Sequence, residues 1–250
     1  MIRQYKHGLK GMTYILGSNC VDGVVLIADR KITLRSGITH EYEDKLFNNI
    51  WWLVVGSSGI TGLFEKFRDN LNTYISSSGW ENTITALTNK IELITRELNE
   101  TYDERLGGQV FDVLFGVKGT TGAFLHYVHP VGFAEGVRKY KAIGHGEPYG
   151  SFFLKRWWRP NMSMLEVAEL GFFIIKYIEK SELDDSVGIG DGYPQVWLIP
   201  HRQPPPGLIL ADPSVFNPHV PSKDEMDAMQ DKVVKRLAKF EDVCRSIGVN

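Results

Sequence analysis

Three residues equipped for nucleophilic and acid–base chemistry stand at regular intervals near the start of this 250-residue chain. Thr13 is followed by Asp29 sixteen positions on and by Lys45 thirty-two positions on. A threonine hydroxyl is a poor nucleophile at its own pKa and needs a base. A free α-amino group, with a reference pKa of about 7.7–8.0, is matched to take such a proton near neutral pH. A lysine beside the hydroxyl favours the alkoxide through its charge, and an aspartate can hold that lysine charged and oriented. Taken singly, the same residues have plainer readings. Thr13 opens a β-branched run and reads as a strand residue, and Asp29 with Lys45 reads as a structural salt bridge.

Other groupings of reactive side chains carry less. His126 and His129 span a strand end and a turn, where two rings need not face the same way, so zinc is not expected. Gly188, Gly190 and Gly192 lack the dinucleotide spacing. No phosphate-cradling GxxxxGKS/T run occurs, so no cofactor is expected and any ATP dependence would come from a partner. The basic, aromatic run Lys155-Arg156-Trp157-Trp158-Arg159 reads as a helix end packed on a neighbouring element.

Those residues must be positioned by a folded core, and the composition provides for one. Hydrophobic residues make up 43% of the chain and charged residues 23%, which excludes disorder, collagen-like repeats and a coiled-coil rod. With 28 Lys+Arg against 30 Asp+Glu the formal charge is −2, so no general basic surface is offered to nucleic acid. Cys20 and Cys244, far apart, cannot staple a domain of this size and suit a reducing cytoplasm. The most apolar window, 170–178, is broken by Lys176 and falls short of the roughly 18 apolar residues of a membrane span. Residues 1–12 are basic and polar, without the apolar stretch of a secretory signal. The expectation is a cytoplasmic protein with neither a membrane nor a nucleic-acid partner.

Short apolar runs at 13–18 and 24–28, with Asp22-Gly23 between them, predict a hairpin. A third strand is read at 51–55, ending at Gly56-Ser57-Ser58-Gly59. Leu63, Phe67, Leu71 and Ile75 recur at helical spacing, and Leu87, Ile91, Ile94 and Leu98 mark a second helix from Thr83. Strands return at 110–117, 123–128 and 139–143. Pro148 suits the start of a third helix, and Ser163 with Glu166 forms a capping box for a fourth, running to Lys180. Strands follow at 186–189 and 195–199. Beyond 199 lie Pro204-Pro205-Pro206 and a last amphipathic helix capped by Ser222, with Met226, Met229, Val233, Leu237 and Phe240 on one side. Blocks of strands and helices predict α+β layers, not a βαβ alternation.

With its elements in place, the stretch Thr13 to Gly17, the run Asp22 to Arg30 and Asp44-Lys45-Leu46 together resemble the β-type subunits of the 20S proteasome and its bacterial peptidase relatives. In that family a strand begins with a nucleophilic threonine, and an aspartate and a lysine follow at these two spacings. Val55-Gly56-Ser57 matches the glycine turn before the family's first helix, 143–149 the glycine-rich turn before the third, and 185–188 the late aspartate and serine. The resemblance covers 13–199 and implies a four-layer αββα sandwich of the N-terminal nucleophile (Ntn) hydrolase type. Three parts are expected. Residues 1–12 form a leader or a mis-assigned start, 13–199 the Ntn domain, and 200–250 a proline-rich arm with a helix that docks on a neighbouring subunit.

The resemblance also implies roles. Thr13 is the nucleophile, Asp29 and Lys45 its charged partners, Gly56 the oxyanion amide and Asp185 a supporting acid. The activity implied is a threonine peptidase acting through an acyl-enzyme on peptides or unfolded protein, in a homo-oligomeric ring with a possible α-type or ATPase partner. Three departures stand out. Met12, not glycine, precedes Thr13. His145 replaces a serine near the active centre, where an imidazole could relay protons. Gly188 stands where a second serine is usual. Translation from Met12, with removal of that methionine, would free Thr13 directly. Two alternatives remain open: a peptide ligase using the same nucleophile, and a non-catalytic ring or scaffold subunit with Thr13 never exposed.

Overall fold

The computed structural model describes residues 13–33, 40–50, 52–59, 61–78, 83–106, 111–184, 187–190, 192–201 and 218–246. Strands β1 (Ile15–Asn19) and β2 (Gly23–Ala28) pair antiparallel and are buried on both faces almost throughout. In β2 that follows from the continuous run Val24-Val25-Leu26-Ile27, with no polar alternation. Strand β10 (Tyr140–Ile143) flanks β1 and β11 (Gln195–Pro200) flanks β2, giving the order β10-β1-β2-β11. A second antiparallel sheet runs β5 (Leu46–Ile50), β6 (Leu53–Ser58), β7 (Asp112–Gly119), β8 (Gly122–His129), β9 (Phe133–Gly136). A small hairpin, β3 (Lys31–Thr33) with β4 (His40–Tyr42), stands apart.

The period of two along each central strand sorts its side chains between two cores. Ile15, Val24 and Leu26 meet Val54, Leu114 and Leu125 between the sheets. Their neighbours Leu16, Val25 and Ile27 face the other way, onto Val167, Phe173 and Ile174 of α4 (Met164–Lys180), which lies beside α3 (Glu147–Trp157). On the far side Val55, Val113 and Phe115 meet Phe67, Leu71, Leu87 and Ile91 of α1 (Thr61–Ser78) and α2 (Ile84–Leu106). The layers are therefore helix, sheet, sheet, helix, as the resemblance implied. No helix among the described residues is long and apolar enough to cross a membrane.

Three expectations change. Asp22-Gly23 is not the centre of the first turn: Asn19 pairs with Val24, and Gly23 opens β2. Gly23 is needed for close approach, since a side chain there would press on Met164 Sδ and the Ile199 carbonyl, while Asp22 Oδ1 accepts the Met164 amide at 2.8 Å and caps α4. The third strand begins at Leu53 and continues through Ser58, so Gly56 lies inside a strand and the turn glycine is Gly59, at φ +123°. Residues 187–189 are loop, not strand, because none of their N–H groups meets a strand: Val187 donates to the Asp184 carbonyl, Gly188 to the Asp29 carboxylate and Ile189 to the Glu179 carboxylate; Ser186 lies outside the described residues. The stripe on α5 (Lys223–Ser246) is used within its own chain. Met226, Met229, Val233 and Leu237 are buried, and Phe240 packs edge-on to Trp157, Phe173 and Tyr177. The helix is thus part of its own chain's core. Residues 1–12 and the three prolines lie outside the described residues.

Candidate active site

Thr13 stands two residues before the start of β1 and is 5% exposed. The start of β1 lies beside the end of β2, with Ile15 opposite Ala28, so the side chain after Ala28 turns back on the backbone beside Thr13. That side chain is Asp29. It is fully buried, and its Oδ1 accepts the Tyr14 amide at 2.7 Å while the Asp29 amide donates to the Tyr14 carbonyl at 3.0 Å. Its Oδ2 accepts the Lys45 ammonium at 2.7 Å and the Gly188 amide at 3.4 Å. Asp29 thus ties the lysine to the peptide that follows Thr13. The sixteen- and thirty-two-residue intervals are the footprint of that arrangement: one hairpin brings Asp29 back, and the β3–β4 excursion brings Lys45 in from the second sheet.

The electrostatics are those of a charge pair taken out of water. Burial is the largest influence on both groups, pushing the Asp29 carboxyl up and the Lys45 ammonium down. Their mutual contact opposes both shifts, as do the Tyr14 and Gly188 N–H groups on Asp29 and the Asp184 charge on Lys45. The Asp29 contact is what keeps the ammonium charged against that burial.

The glycine-rich turn reaches the same point. Gly144, at φ +92°, packs on Thr13, and a Cβ there would overlap the Thr13 carbonyl and lie 3.0 Å from its Cγ2. Gly146 donates its amide to the Thr13 carbonyl at 3.2 Å. His145 stands between these two contacts, its ring about half exposed, with Nδ1 2.6 Å from Asp184 Oδ2. A carboxylate on Nδ1 fixes the proton there in the neutral ring and leaves Nε2 as the acceptor. Gly56 lies in β6 against the side chains of Ile15 and Leu46.

Thr13, Asp29, Lys45 and His145 are therefore gathered at one end of the two central sheets, with Gly56 packed alongside. Asp185 lies outside the described residues. The buried acid at this corner is its neighbour Asp184, 8% exposed, which the sequence reading passed over. Also missed was Glu179 on α4. Its Oε1 accepts the amides of Ile189 (2.9 Å) and Gly190 (2.8 Å), holding the loop that presents Gly188 to Asp29. Asp184 carries no sequence signal that marks it as buried, and Glu179 sits on a helix whose charges read as solvated. Elsewhere, His126 stacks on Phe115 and His129 faces Glu135, each outside the Thr13 corner.

Comparison with known proteins agrees with this layout. A family model described as proteasome subunit matches residues 10–189. The chain is 29% identical over 171 residues to a protein named proteasome subunit alpha from Methanococcus vannielii, an alignment covering 65% of this chain and 63% of that protein. It therefore spans a little under two thirds of that relative's length. Among solved structures, Anbu (ancestral beta-subunit) from Yersinia bercovieri superposes with a TM-score of 0.68 at 15% identity, covering 92% of this chain and 97% of that one. An Anbu mutant from Hyphomicrobium sp. strain MC1 superposes with a TM-score of 0.63 at 18% identity, covering 91% and 97%. At such identities the two structures speak to the fold alone.

Proposed function

The chain belongs to the proteasome subunit family, and from that premise we propose that it is a threonine-type peptidase with Thr13 as its nucleophile. The observation that carries the reading is the buried Asp29–Lys45 pair, tied to the amide one residue after Thr13. A buried ion pair seldom adds stability over an apolar replacement of the same volume. Chemistry accounts for it better than folding does.

In the proposed reaction the Thr13 hydroxyl attacks a peptide carbonyl and gives its proton to the Thr13 α-amine, freed by removal of the residues before it. Lys45, held by Asp29, stabilises the developing alkoxide. The Gly56 amide, by family resemblance, receives the oxyanion; losing such a donor typically costs about 10²–10³ in rate. The amine half of the substrate leaves with a proton, and an ester on Thr13 remains. Water then attacks the ester, returning the hydroxyl and releasing the carboxylate half. His145, oriented by Asp184, takes the place of the family's serine as a proton relay at the edge of the cleft. Asp184, bonded to His145, joins Asp185 as a supporting acid in this reading. The subunits assemble in a ring, as members of this family do, and the substrate is an extended peptide.

A second reading is a non-catalytic ring subunit, favoured by the likeness to a protein named an alpha subunit. One experiment separates the two. Intact mass of the protein from its natural source is measured beside fluorogenic-peptide cleavage by the wild type and Thr13→Ala. The peptidase reading expects a mature chain that begins at Thr13, with cleavage abolished in the variant. A mature chain that keeps residues ahead of Thr13 and cleaves nothing refutes it. Adding a competing amine during cleavage tells hydrolysis from ligation by the mass of the product.

A further inference from the structure

One polar side chain joins the two sheets at the Thr13 corner and has no part in the chemistry above. Gln195 is the first residue of β11, an edge strand, and lies opposite Ala28 in the ladder, one residue before Asp29. Its amide reaches across to the other sheet. Oε1 accepts the Leu46 amide at 2.7 Å, and Nε2 donates to the Leu46 carbonyl at 2.5 Å. Leu46 is the residue after Lys45, on β5, which is also an edge strand. An edge strand leaves N–H and C=O groups without a strand partner. Here one glutamine occupies both groups of one residue, in the manner of a missing strand.

That contact spans 149 positions of sequence and is bidentate. Two hydrogen bonds from one planar amide fix both distance and rotation, which a single bond would not. The ends of the strands that carry Asp29 and Lys45 belong to different sheets, and apolar packing between sheets tolerates sliding better than hydrogen bonds do. We propose that Gln195 is a positioning residue: it locks the start of β5 to β11, and so sets where the Lys45 ammonium stands relative to Asp29 and Thr13. The proposal rests on the peptidase reading for its catalytic consequence, while its structural half can be read without activity.

The test uses the full chain with Gln195→Leu, which keeps the bulk and removes both bonds, and Gln195→Glu, which keeps the acceptor for the Leu46 amide. Lysine labelled with 13C at Cε reports the Lys45 environment by NMR, assigned by its loss in Lys45→Met. The expected result is a shifted and broadened Lys45 signal in Gln195→Leu with the other lysines unmoved, partly restored in Gln195→Glu. Peptide cleavage should fall about 100-fold in kcat in Gln195→Leu with KM little changed, the size expected for a misplacement of about 1 Å. An unchanged Lys45 signal in Gln195→Leu overturns the proposal. Were that variant not to fold, the Gln195→Glu spectrum decides in the same way. Were the wild type to cleave nothing, the peptidase reading fails, and the Lys45 signal still judges the clamp.

Discussion

Replacing Lys45 by Met leaves the Asp29 carboxylate buried with no cation beside it. Three donors now meet that carboxylate: the Tyr14 amide and Lys45 ammonium, each at 2.7 Å, and the Gly188 amide at 3.4 Å. Methionine matches the lysine stem but removes the charge. Breaking a buried pair in this way typically costs about 3–5 kcal/mol. At about 2–4 °C per kcal/mol for a domain of this size, the thermal midpoint should drop by about 6–20 °C at pH 8. The loss has a signature in pH. Without the ammonium, the Asp29 carboxyl moves further up, so lowering the pH neutralises it and narrows the gap to the wild type.

The double variant Lys45→Met/Asp29→Asn closes the cycle. An asparagine can still accept the Tyr14 amide while no charge is left buried, so at least half of the lost stability should return. Calorimetry at one fixed protein concentration reads all four proteins, because assembly would otherwise shift the midpoints. Peptide cleavage should be absent from every variant, including the restabilised one. A Lys45→Met loss under about 1 kcal/mol, or a double variant no more stable than the single, would refute the account of a desolvated pair retained for chemistry.

Further outcomes follow from other buried groups. Asp112 is 7% exposed, takes hydrogen bonds from Ser58 and from Tyr127 (3.1 Å), and is pushed above its ordinary value of 3.8 mainly by burial. The folded state therefore binds the extra proton, and Asp112 makes stability fall as pH climbs from 3.8 to its raised value, then level off. Urea unfolding across pH 3.5–8 should show that component missing in Asp112→Asn; identical profiles would refute it. Burial pushes the Cys20 thiol up to about 12, so at pH 8 only about one in 10⁴ is thiolate. Mass-spectrometric mapping after iodoacetamide should find Cys20 unmodified in the native protein and modified in urea. Gly188→Ser, which reinstates the family's residue type, should lower the thermal midpoint, because its side chain would collide with the Glu179 carboxylate; an unchanged midpoint would deny that crowding.

The blocks of strands and helices were legible because they rest on short-range rules, whereas the layer order and the Thr13–Asp29–Lys45 spacing were legible through the family resemblance. The strands alternate between two apolar surfaces, the helices carry clean stripes, and Ser163 with Glu166 caps α4 as read. What escaped was decided by tertiary partners. Strand β5, Leu-Phe-Asn-Asn-Ile, has little strand pattern and is made by pairing with β6, across an irregular register between Phe47 and Ile50. Asp184 reaches His145 by way of the turn after α4, where Glu182 stands at φ +51°, and no local spacing marks it for that contact. Glu179 and Gln195 carry no local signal, since both act on backbone groups that only the fold brings near.

The loop between α4 and β11 supports Asp29 with backbone groups at the position where the resemblance sets Gly188 against a serine. Its backbone does the positioning: the Gly188 amide supports Asp29, and the Gly188 carbonyl accepts the amides of Arg30 and Lys31, each at 3.0 Å. Glu179 fills the space that a side chain at 188 would need, and spends its carboxylate on the next two amides and on Lys176 at 3.1 Å. Further along, Tyr193 bonds to Asp227 of α5, and Gln195 reaches Leu46. One segment is thus anchored by α4 and α5 on one side and anchors Asp29 and the Lys45 strand on the other. The helix beyond residue 200 is therefore part of what holds the Thr13 corner in place.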